Sequence, residues 1–410
     1  MTDDSTRAAA PQGGRIAVAL AGFLVMTVSG AVWGSFTLFL VAIEQDTGWS
    51  KTSIAFGFTV FTIAGACTAP ITGALVDRFG TRPVLSCLAI VLALGLVLGS
   101  LSGDPLVFYL AFGLIGGFGS QSCGTYMLFT IAGNWFRRPA TAMAFMDSGS
   151  GIGVLVALPI LRAIMEAYSW RTAYVALAAL SVVVIVPLAA IFLRLQPPDA
   201  DPATTVDAHR RRRSPLGALH AIVRTPLFRW LALVHLLAPL TYHSIGSHQV
   251  AYLQHAGLTL EFAVWVVSTT GFTFFLGRLA LGALIDWRGL ALTGSIIAVT
   301  ALAALAALFG ISLFDSRAAA YSYPILFGLG FSSTGILFTA AARRLIDSAS
   351  FTAIYGALRL VYGLGVALGP PFMAMMVDAT GRFDIPFAVI VFVLIIHHGA
   401  FVWLVSRRRG

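Results

Sequence analysis

The chain contains 410 residues, of which 58% are apolar and only 10% are charged. A soluble domain with so few charges could not cover its own surface, so this composition excludes an ordinary water-soluble fold. The formal net charge of +9 does not indicate nucleic-acid binding, because the basic residues lie between apolar segments and not on one soluble domain.

Runs of about 20 apolar residues predict helices that span a bilayer. The first run is too long for a cleaved signal peptide, and comparable runs follow it. The predicted spans are 16–43, 52–76, 83–102, 106–133, 140–164, 171–193, 228–253, 262–285, 290–313, 320–342, 352–377 and 385–405. We therefore expect an all-α membrane protein with twelve transmembrane helices.

The distribution of basic residues sets the orientation of these spans. Most of the 26 lie in both tails and in the loops on one side, which we place in the cytoplasm; Lys51, Arg171, Arg317 and Arg382 lie in the opposite loops. The predicted order is a cytoplasmic tail (1–15), a six-helix bundle (16–194), a cytoplasmic linker (195–226), a second six-helix bundle (227–406) and a cytoplasmic tail (407–410). The arginine run 210–213 in the linker is either a lipid-headgroup anchor or a solvated basic stretch.

Two sequence motifs occur twice at nearly the same offset. Gly73-Ala-Leu-Val-Asp-Arg-Phe-Gly80 reappears 209 residues later as Gly282-Ala-Leu-Ile-Asp-Trp-Arg-Gly289, and a glycine pair ending at Gly153 reappears 212 residues later ending at Gly365. Such a period in an apolar chain predicts two pseudo-symmetric bundles. The first motif, between spans 2 and 3, resembles the cassette of the major facilitator superfamily, and this resemblance implies the major facilitator fold.

In that superfamily the cassette latches the two halves together when the cavity opens outward. The resemblance therefore implies gating roles for Asp77 and Arg78, and for Asp286 in the second copy. Trp287 stands where Arg78 stands, so we expect the second latch to be weaker. Alternatively, Asp77 only caps a helix, because a carboxylate accepts hydrogen bonds from a helix N-terminus.

Three further stretches narrow the resemblance. They are Gly48-Trp-Ser-Lys-Thr52, Asn134-Trp-Phe-Arg-Arg138 and His248-x-x-x-Tyr252. Together they resemble the monocarboxylate transporter family, above all its bacterial members, with the oxalate–formate antiporters as near relatives. The similarity covers nearly the whole chain outside the tails and linker, and it implies a multi-pass protein of the bacterial inner membrane.

Charged residues deep in apolar spans are costly and tend to serve a function. Arg162 lies near the outer end of span 5, where it can reach the interface, so we interpret it as structural. Arg278 precedes Asp286 by eight residues, or about 12 Å of helix. In the monocarboxylate family, the arginine at this place binds the substrate carboxylate. The alternative is a structural arginine.

The chain departs from the family pattern one turn before Arg278, where many members have an aspartate and this sequence has Phe274. Asp147, on span 5, is the only acid deep in a predicted span, and we expect it to replace the missing proton-coupling carboxylate. The alternative is a permanent salt bridge between Asp147 and an arginine that fixes helix packing.

Three further residues are candidate substrate contacts. Arg359 on span 11 is either a shifted second anion site or a structural partner of Asp347 or Asp147, because the resemblance to the oxalate–formate antiporters puts Tyr362 where their second cation lies. Tyr126 on span 4 falls where the family has a polar substrate-contacting side chain, and its hydroxyl can donate to a carboxylate.

These patterns predict a transporter that carries a small monocarboxylate resembling lactate or pyruvate, together with a proton, as a monomer in the bilayer. An exchanger for oxalate-like dicarboxylates is the first alternative, and a transporter-like membrane sensor is the second. We expect no enzyme, because no nucleophile–base pair is recognisable. We also expect no cofactor, no metal site and no nucleic-acid partner, since no histidine has metal-ligand spacing with another ligand.

Overall fold

The computed structural model describes residues 12–197, 223–314, 316–346 and 351–406. These ranges are almost entirely helical and contain no β-strand. The α-helices are Gln12–Gly34, Phe36–Thr47, Lys51–Phe79, Thr81–Ser100, Pro105–Phe108, Gly117–Gly119, Thr125–Trp135, Pro139–Ala167, Trp170–Ile191, Pro226–His255, Leu260–Arg288, Leu290–Phe314, Arg317–Ser332, Thr334–Leu345, Phe351–Thr380 and Asp384–Ser406. A π-helix (Tyr109–Gly116) and a 3₁₀-helix (Ser120–Cys123) complete the described secondary structure.

These elements correspond to the twelve predicted spans, and the prediction of an all-α membrane protein is confirmed. Span 1 comprises the first two helices, span 4 runs from Pro105 to Trp135, and span 10 comprises Arg317–Ser332 and Thr334–Leu345. Within the described residues, ten helical segments are long and apolar enough to cross a membrane. Spans 7 and 8 are 30 and 29 residues long, or roughly 45 Å at 1.5 Å per residue, which exceeds the hydrocarbon thickness.

The chain divides into two compact units. The first unit holds spans 1 to 6 and also the segment Ile346–Ala357, which includes the first turns of span 11; the second unit holds spans 7 to 10, the rest of span 11 and span 12. Residues 198–222 of the predicted linker, with the arginine run 210–213, lie outside the described residues, as do residues 1–11 and 407–410 of the predicted tails.

The two units share the backbone conformation of their tight turns. Gly48 after span 1 and Gly257 after span 7 have φ of 70° and 83°, and the cassette residues Gly80 and Gly289 have φ of 84° and 87°. Each pair is separated by 209 residues. A left-handed φ favours glycine because no Cβ clashes there, so both units end equivalent helices in the same way.

The units also share close helix contacts. A Cβ atom added at Gly153 on span 5 would lie 1.9 Å from the carbonyl oxygen of Thr27 on span 1. A Cβ added at the repeated position, Gly365 on span 11, would lie 2.2 Å from the carbonyl oxygen of Leu236 on span 7. Since no real Cβ fits at such distances, glycine at these positions lets the paired helices approach at their backbones.

Span 4 contains one residue more than its counterpart, span 10. Thirteen positions separate the N-cap Asp104 from Gly117, and twelve separate the N-cap Ser316 from Gly328. The π-helix Tyr109–Gly116 lies within the longer segment and accommodates the additional residue.

Candidate functional site

Span 8 presents Arg278 and Phe274 on the helix face opposite its exposed apolar side chains. Phe272, Leu276 and Trp287 are 63%, 46% and 74% exposed, as expected for a face toward lipid. Arg278 and Phe274 are one turn apart and partly buried, and the guanidinium carbon of Arg278 lies 4.7 Å from the centroid of the Phe274 ring. The cation is therefore directed away from the lipid-facing side of span 8.

A break in span 10 meets Arg278 within the second unit. The helix is interrupted at Ser333, and Arg278 Nε donates to the carbonyl oxygen of Ser332 at 3.4 Å. The Ser333 hydroxyl in turn donates to the carbonyl oxygens of Gly277 and Arg278, at 3.4 and 3.3 Å. Interrupted helices with freed backbone groups are typical of substrate sites in transporters. Arg278 thus lies beside an interrupted helix of the kind that forms such sites.

Span 11 also carries an arginine that packs on an aromatic ring of its own helix. The guanidinium carbon of Arg359 lies 4.2 Å from the centroid of the Tyr362 ring, one turn further along the helix. Both side chains are partly buried, whereas Leu364 and Met375 on the opposite face are 42% and 71% exposed. The Arg359 guanidinium therefore packs on the Tyr362 ring, so the two candidate side chains are in contact. Asp347, proposed as a partner of Arg359, lies outside the described residues.

Tyr242 on span 7 joins the two arginine–ring pairs. Its ring centroid is 5.7 Å from that of Phe274, and its phenol interacts electrostatically with Arg278 and with Tyr362. We call these five residues (Arg278, Phe274, Tyr242, Arg359 and Tyr362) the arginine–aromatic cluster. The sequence analysis missed Tyr242; a polar Thr-Tyr-His stretch in the middle of an apolar span was the available signal.

Asp147 lies in the first unit, on span 5, and is 9% exposed. Its carbonyl oxygen accepts a hydrogen bond from the Ser150 hydroxyl at 2.7 Å. Asp147 precedes Gly153 by six residues, and Arg359 precedes Gly365 by six. Equivalent positions of the internal repeat therefore carry opposite charges. The proton-coupling role of Asp147 stays a prediction.

Span 4 is also interrupted at the depth of the predicted contacts. Gly124 is extended (φ −72°, ψ 134°), and the next helix starts at Thr125. The backbone of Tyr126 lies in the first turn of that helix, while its side chain is outside the described residues. Gln121 Nε2 donates to the carbonyl oxygen of Gly65 on span 2 at 2.8 Å, so this side chain makes a helix–helix contact.

The cassettes have partly buried acids and exposed basic residues. Asp77 and Asp286 are partly buried, and Arg78 is exposed with its guanidinium carbon 5.1 Å from the centroid of the neighbouring phenylalanine ring. In the second copy, Arg288 lies 4.2 Å from the centroid of the Trp287 ring. The indole that replaces Arg78 thus supports the next arginine, and the gating roles of Asp77, Arg78 and Asp286 stay predictions.

Four side chains beside the first cassette and at the end of span 4 hold the end of span 6. A helix C-terminus leaves carbonyl groups without helical partners, and these side chains donate to them. The bonds run from Thr81 Oγ1 to Leu193 O, from Arg82 Nη2 to Ile191 O, from Asn134 Nδ2 to Leu195 O (2.8 Å) and from Trp135 Nε1 to Arg194 O (2.8 Å). The Asn-Trp stretch found in the sequence therefore has a structural role at the C-terminal end of span 6.

Polar pairs lie at the ends of spans 1, 5 and 6, on the side of the first unit away from the cassette. Trp170 Nε1 donates to Asp46 Oδ2 at 2.9 Å, and Arg171 bonds to the same oxygen. These hydrogen bonds hold the pKa of the Asp46 carboxyl below its ordinary value. Arg162 pairs with Glu166 at 2.7 Å, one turn away, with both side chains largely exposed, which agrees with a structural arginine. Among the described residues, no three His, Cys, Asp or Glu side chains form a metal-binding group.

The sequence matches the family model of the Major Facilitator Superfamily over residues 22–370. Human monocarboxylate transporter 11 is 27% identical over 350 residues, which cover 84% of this chain and 71% of that protein. Monocarboxylate transporter 13 of Rattus norvegicus is 26% identical over 380 residues, which cover 91% of this chain and 84% of that protein.

Two solved structures show the same fold at low sequence identity. The fucose:proton symporter FucP of E. coli superposes with a TM-score of 0.71 at 16% identity, covering 96% of this chain and 98% of that one. The human organic anion transporter MFSD10 superposes with a TM-score of 0.68 at 18% identity, covering 95% of this chain and 100% of that one.

Proposed function

Because the chain belongs to the Major Facilitator Superfamily, we propose that it is a secondary active transporter that carries a small monocarboxylate through the membrane with a proton. The observation that carries the proposal is the position of Arg278. It is a deep cation on the face of span 8 away from lipid, placed at the break in span 10. The names of the relatives, monocarboxylate transporters 11 and 13, agree with an anionic substrate.

Arg278 suits a carboxylate because its planar guanidinium offers parallel N–H donors to both oxygens. The Phe274 ring covers one side of the cation, and the Ser332 carbonyl accepts from Nε. Both contacts restrict the orientation of the side chain, so that the donors are positioned before the substrate arrives. Tyr126 and Tyr362 are further candidate donors to the bound anion.

Transport proceeds in this proposal by alternating access, with the two bundles moving around the bound anion. Asp147 takes up the proton that accompanies the substrate, and Asp77, Arg78 and Asp286 gate the cytoplasmic side. The protein acts as a monomer in a bacterial inner membrane with both termini in the cytoplasm.

The orientation is tested by labelling a single cysteine at position 205, in a variant without Cys67, Cys87 and Cys123. We expect an impermeant maleimide to label Thr205→Cys only in inverted or permeabilised membranes. Labelling from the outside of intact cells would reverse the orientation and with it the assignment of the gate.

Substrate counterflow in proteoliposomes tests the transport function. Vesicles loaded with an unlabelled carboxylate should accumulate the same labelled carboxylate transiently if the protein carries it. The panel should include lactate, pyruvate, oxalate and uncharged sugars. Counterflow with monocarboxylates and not with sugars is the expected result; counterflow with sugars alone would overturn the proposal.

An exchanger for dicarboxylates is the second candidate, because Arg359 on span 11 is, like Arg278, a partly buried cation over a ring of its own helix. If Arg359 binds a second carboxylate, Arg359→Gln should keep its fold and lose the thermal stabilisation by oxalate while retaining that by lactate. If Arg359 is structural, the variant should lose stability without ligand and show no change in charge selectivity.

A further inference from the structure

The arginine–aromatic cluster contains three rings beside two cations. Each guanidinium lies over a ring of its own helix, at 4.7 Å for Arg278 on Phe274 and 4.2 Å for Arg359 on Tyr362. A cation over a ring face is attracted by the ring quadrupole and is held there. The N–H donors of a guanidinium lie in its own plane, so stacking over a ring face does not itself use them.

Two buried rings support the cluster from behind. Tyr242 lies 5.8 Å from Phe327 and 5.8 Å from Phe331, measured between ring centroids, and both phenylalanines are nearly inaccessible. Tyr242 and Phe274 are themselves only partly buried. The two rings therefore pack against the buried cluster that contains Phe327 and Phe331, and they form an aromatic wall next to Arg278.

Lactate has no ring or other large apolar group that could pack against this aromatic wall. A ligand ring placed against Tyr242 and Phe274 gains apolar burial and ring–ring contacts in edge-to-face or offset geometry. Its carboxylate then reaches the Arg278 donors beside the same wall. The juxtaposition of a carboxylate-binding cation with accessible rings thus matches an anion that carries a ring of its own.

We propose that the preferred substrate is an aromatic monocarboxylate, with its carboxylate on Arg278 and its ring against Tyr242 and Phe274. This inference rests on the proposed function, since it names the substrate class of the same site. Tyr242 and Phe274 are then the residues that determine specificity.

Matched pairs of acids test the inference on the purified full-length protein. Phenylpyruvate and pyruvate share a head group, and benzoate and cyclohexanecarboxylate share a size but differ in aromaticity. Competition against counterflow and thermal shift should both show that the aromatic acid of each pair binds about tenfold more tightly. Equal affinities within both pairs would overturn the inference, even if all four acids are carried.

The variants Phe274→Leu and Tyr242→Leu remove a ring and keep an apolar side chain. We expect the affinity for phenylpyruvate to fall about tenfold and the affinity for pyruvate to fall much less. Phe272→Leu is the matched control, because Phe272 lies on the lipid-facing side of the same helix and is 63% exposed. It should change neither affinity, and a control that matches Phe274→Leu would count against the wall.

Benzyl alcohol, which has the ring without the carboxylate, distinguishes the two proposals. Weak competition by benzyl alcohol that Phe274→Leu abolishes supports the wall independently of the anion site. If the protein carries aliphatic acids but benzoate and benzyl alcohol do not compete, the aromatic inference fails and the proposed function stands. If no carboxylate binds at all, both fail.

Discussion

Spans 5 and 11 occupy the same place in the internal repeat, yet span 5 carries Asp147 where span 11 carries Arg359. The helix contacts around these positions are matched: Gly153 approaches the backbone of span 1, and Gly365 approaches the backbone of span 7. The internal repeat thus keeps its close backbone contacts at positions where no side chain fits. The side chains at Asp147 and Arg359 differ between the units, and they include the predicted site residues.

Spans 2 and 8 show the same division. At the distance of 209 residues, Ala69 corresponds to Arg278 and Gly65 corresponds to Phe274. A Cβ added at Gly65 would lie 2.8 Å from the Ser120 hydroxyl, so the first unit uses this place to pack span 2 against span 4. The second unit uses it for a cation and a ring. Anion binding is therefore expected in the second unit.

The helix ends at the two cassettes differ as well. In the first unit, Thr81 and Arg82 donate to the carbonyl groups at the end of span 6. The equivalent residues at the start of span 9 are Leu290 and Ala291, which have no side-chain donor. The residues after the first cassette therefore hydrogen-bond to the end of span 6, and the side chains of the equivalent residues after the second cassette cannot form such bonds.

The largest effects should come from the contacts that the two units share. Gly153→Ala and Gly365→Ala each place a methyl group within 2.2 Å of a carbonyl oxygen, so the paired helices must separate. We expect each to lower stability by about 1–3 kcal/mol or more, seen as a large fall in melting temperature in detergent. Gly151→Ala is the matched control, since nothing lies within 4 Å of its added Cβ. A loss of stability from only one of the two substitutions would contradict the inference that both units depend on the same helix contact.

The next prediction concerns Asp147, which has the position in span 5 that Arg359 has in span 11. Asp147→Asn mimics the protonated acid, so it should abolish uptake driven by an external acid pulse and leave exchange at equal concentrations intact. The measurement is uptake against exchange in proteoliposomes, with and without a pH gradient.

A structural salt bridge would give a different result for the same variant. Removing one partner of a buried ion pair is strongly destabilising, so misfolding or loss of both activities would indicate that role. Accumulation against a gradient by Asp147→Asn would exclude it as the proton site.

The smallest effect concerns the ion pair of Asp46 at the end of span 1. The depressed pKa of Asp46 means that its pairing stabilises the fold above the unfolded pKa of about 3.9 and is lost as the pH falls through the lower folded value. Asp46→Asn should cost about 0.2–1 kcal/mol at pH 7, as for a screened surface pair. Melting temperatures of variant and wild type should converge as the pH falls below the folded pKa of Asp46. A difference that persists in acid would assign the effect to the Trp170 bond alone.

The fold was predictable because its main signals are local. Apolar runs mark the spans, and glycines with left-handed φ, such as Gly80 and Gly289, mark the repeated turns. The breaks at Gly124 and Ser333 were not predictable, since they depend on contacts between helices that are distant in sequence. The π-helix in span 4 leaves only a one-residue change in offset as its trace.

The candidate site was only partly predictable. The energetic cost of a deep charge identified Arg278 and Arg359 from the sequence alone. Tyr242 escaped because an aromatic residue in an apolar span is usually core, and only the fold places its ring beside that of Phe274. The sequence makes Arg359 and Tyr362 competing candidates, because register alone does not show that one side chain lies on the other.

The most direct test of the account is the transport affinity of Arg278→Lys. Lysine keeps the charge and loses the paired donors, so counterflow should show at least a tenfold weaker apparent affinity for the carried carboxylate, with an unchanged melting temperature without ligand. Ala69→Arg in the first unit should not restore it. An Arg278→Lys variant with normal affinity and rate would contradict the account, because the anion would then be bound elsewhere.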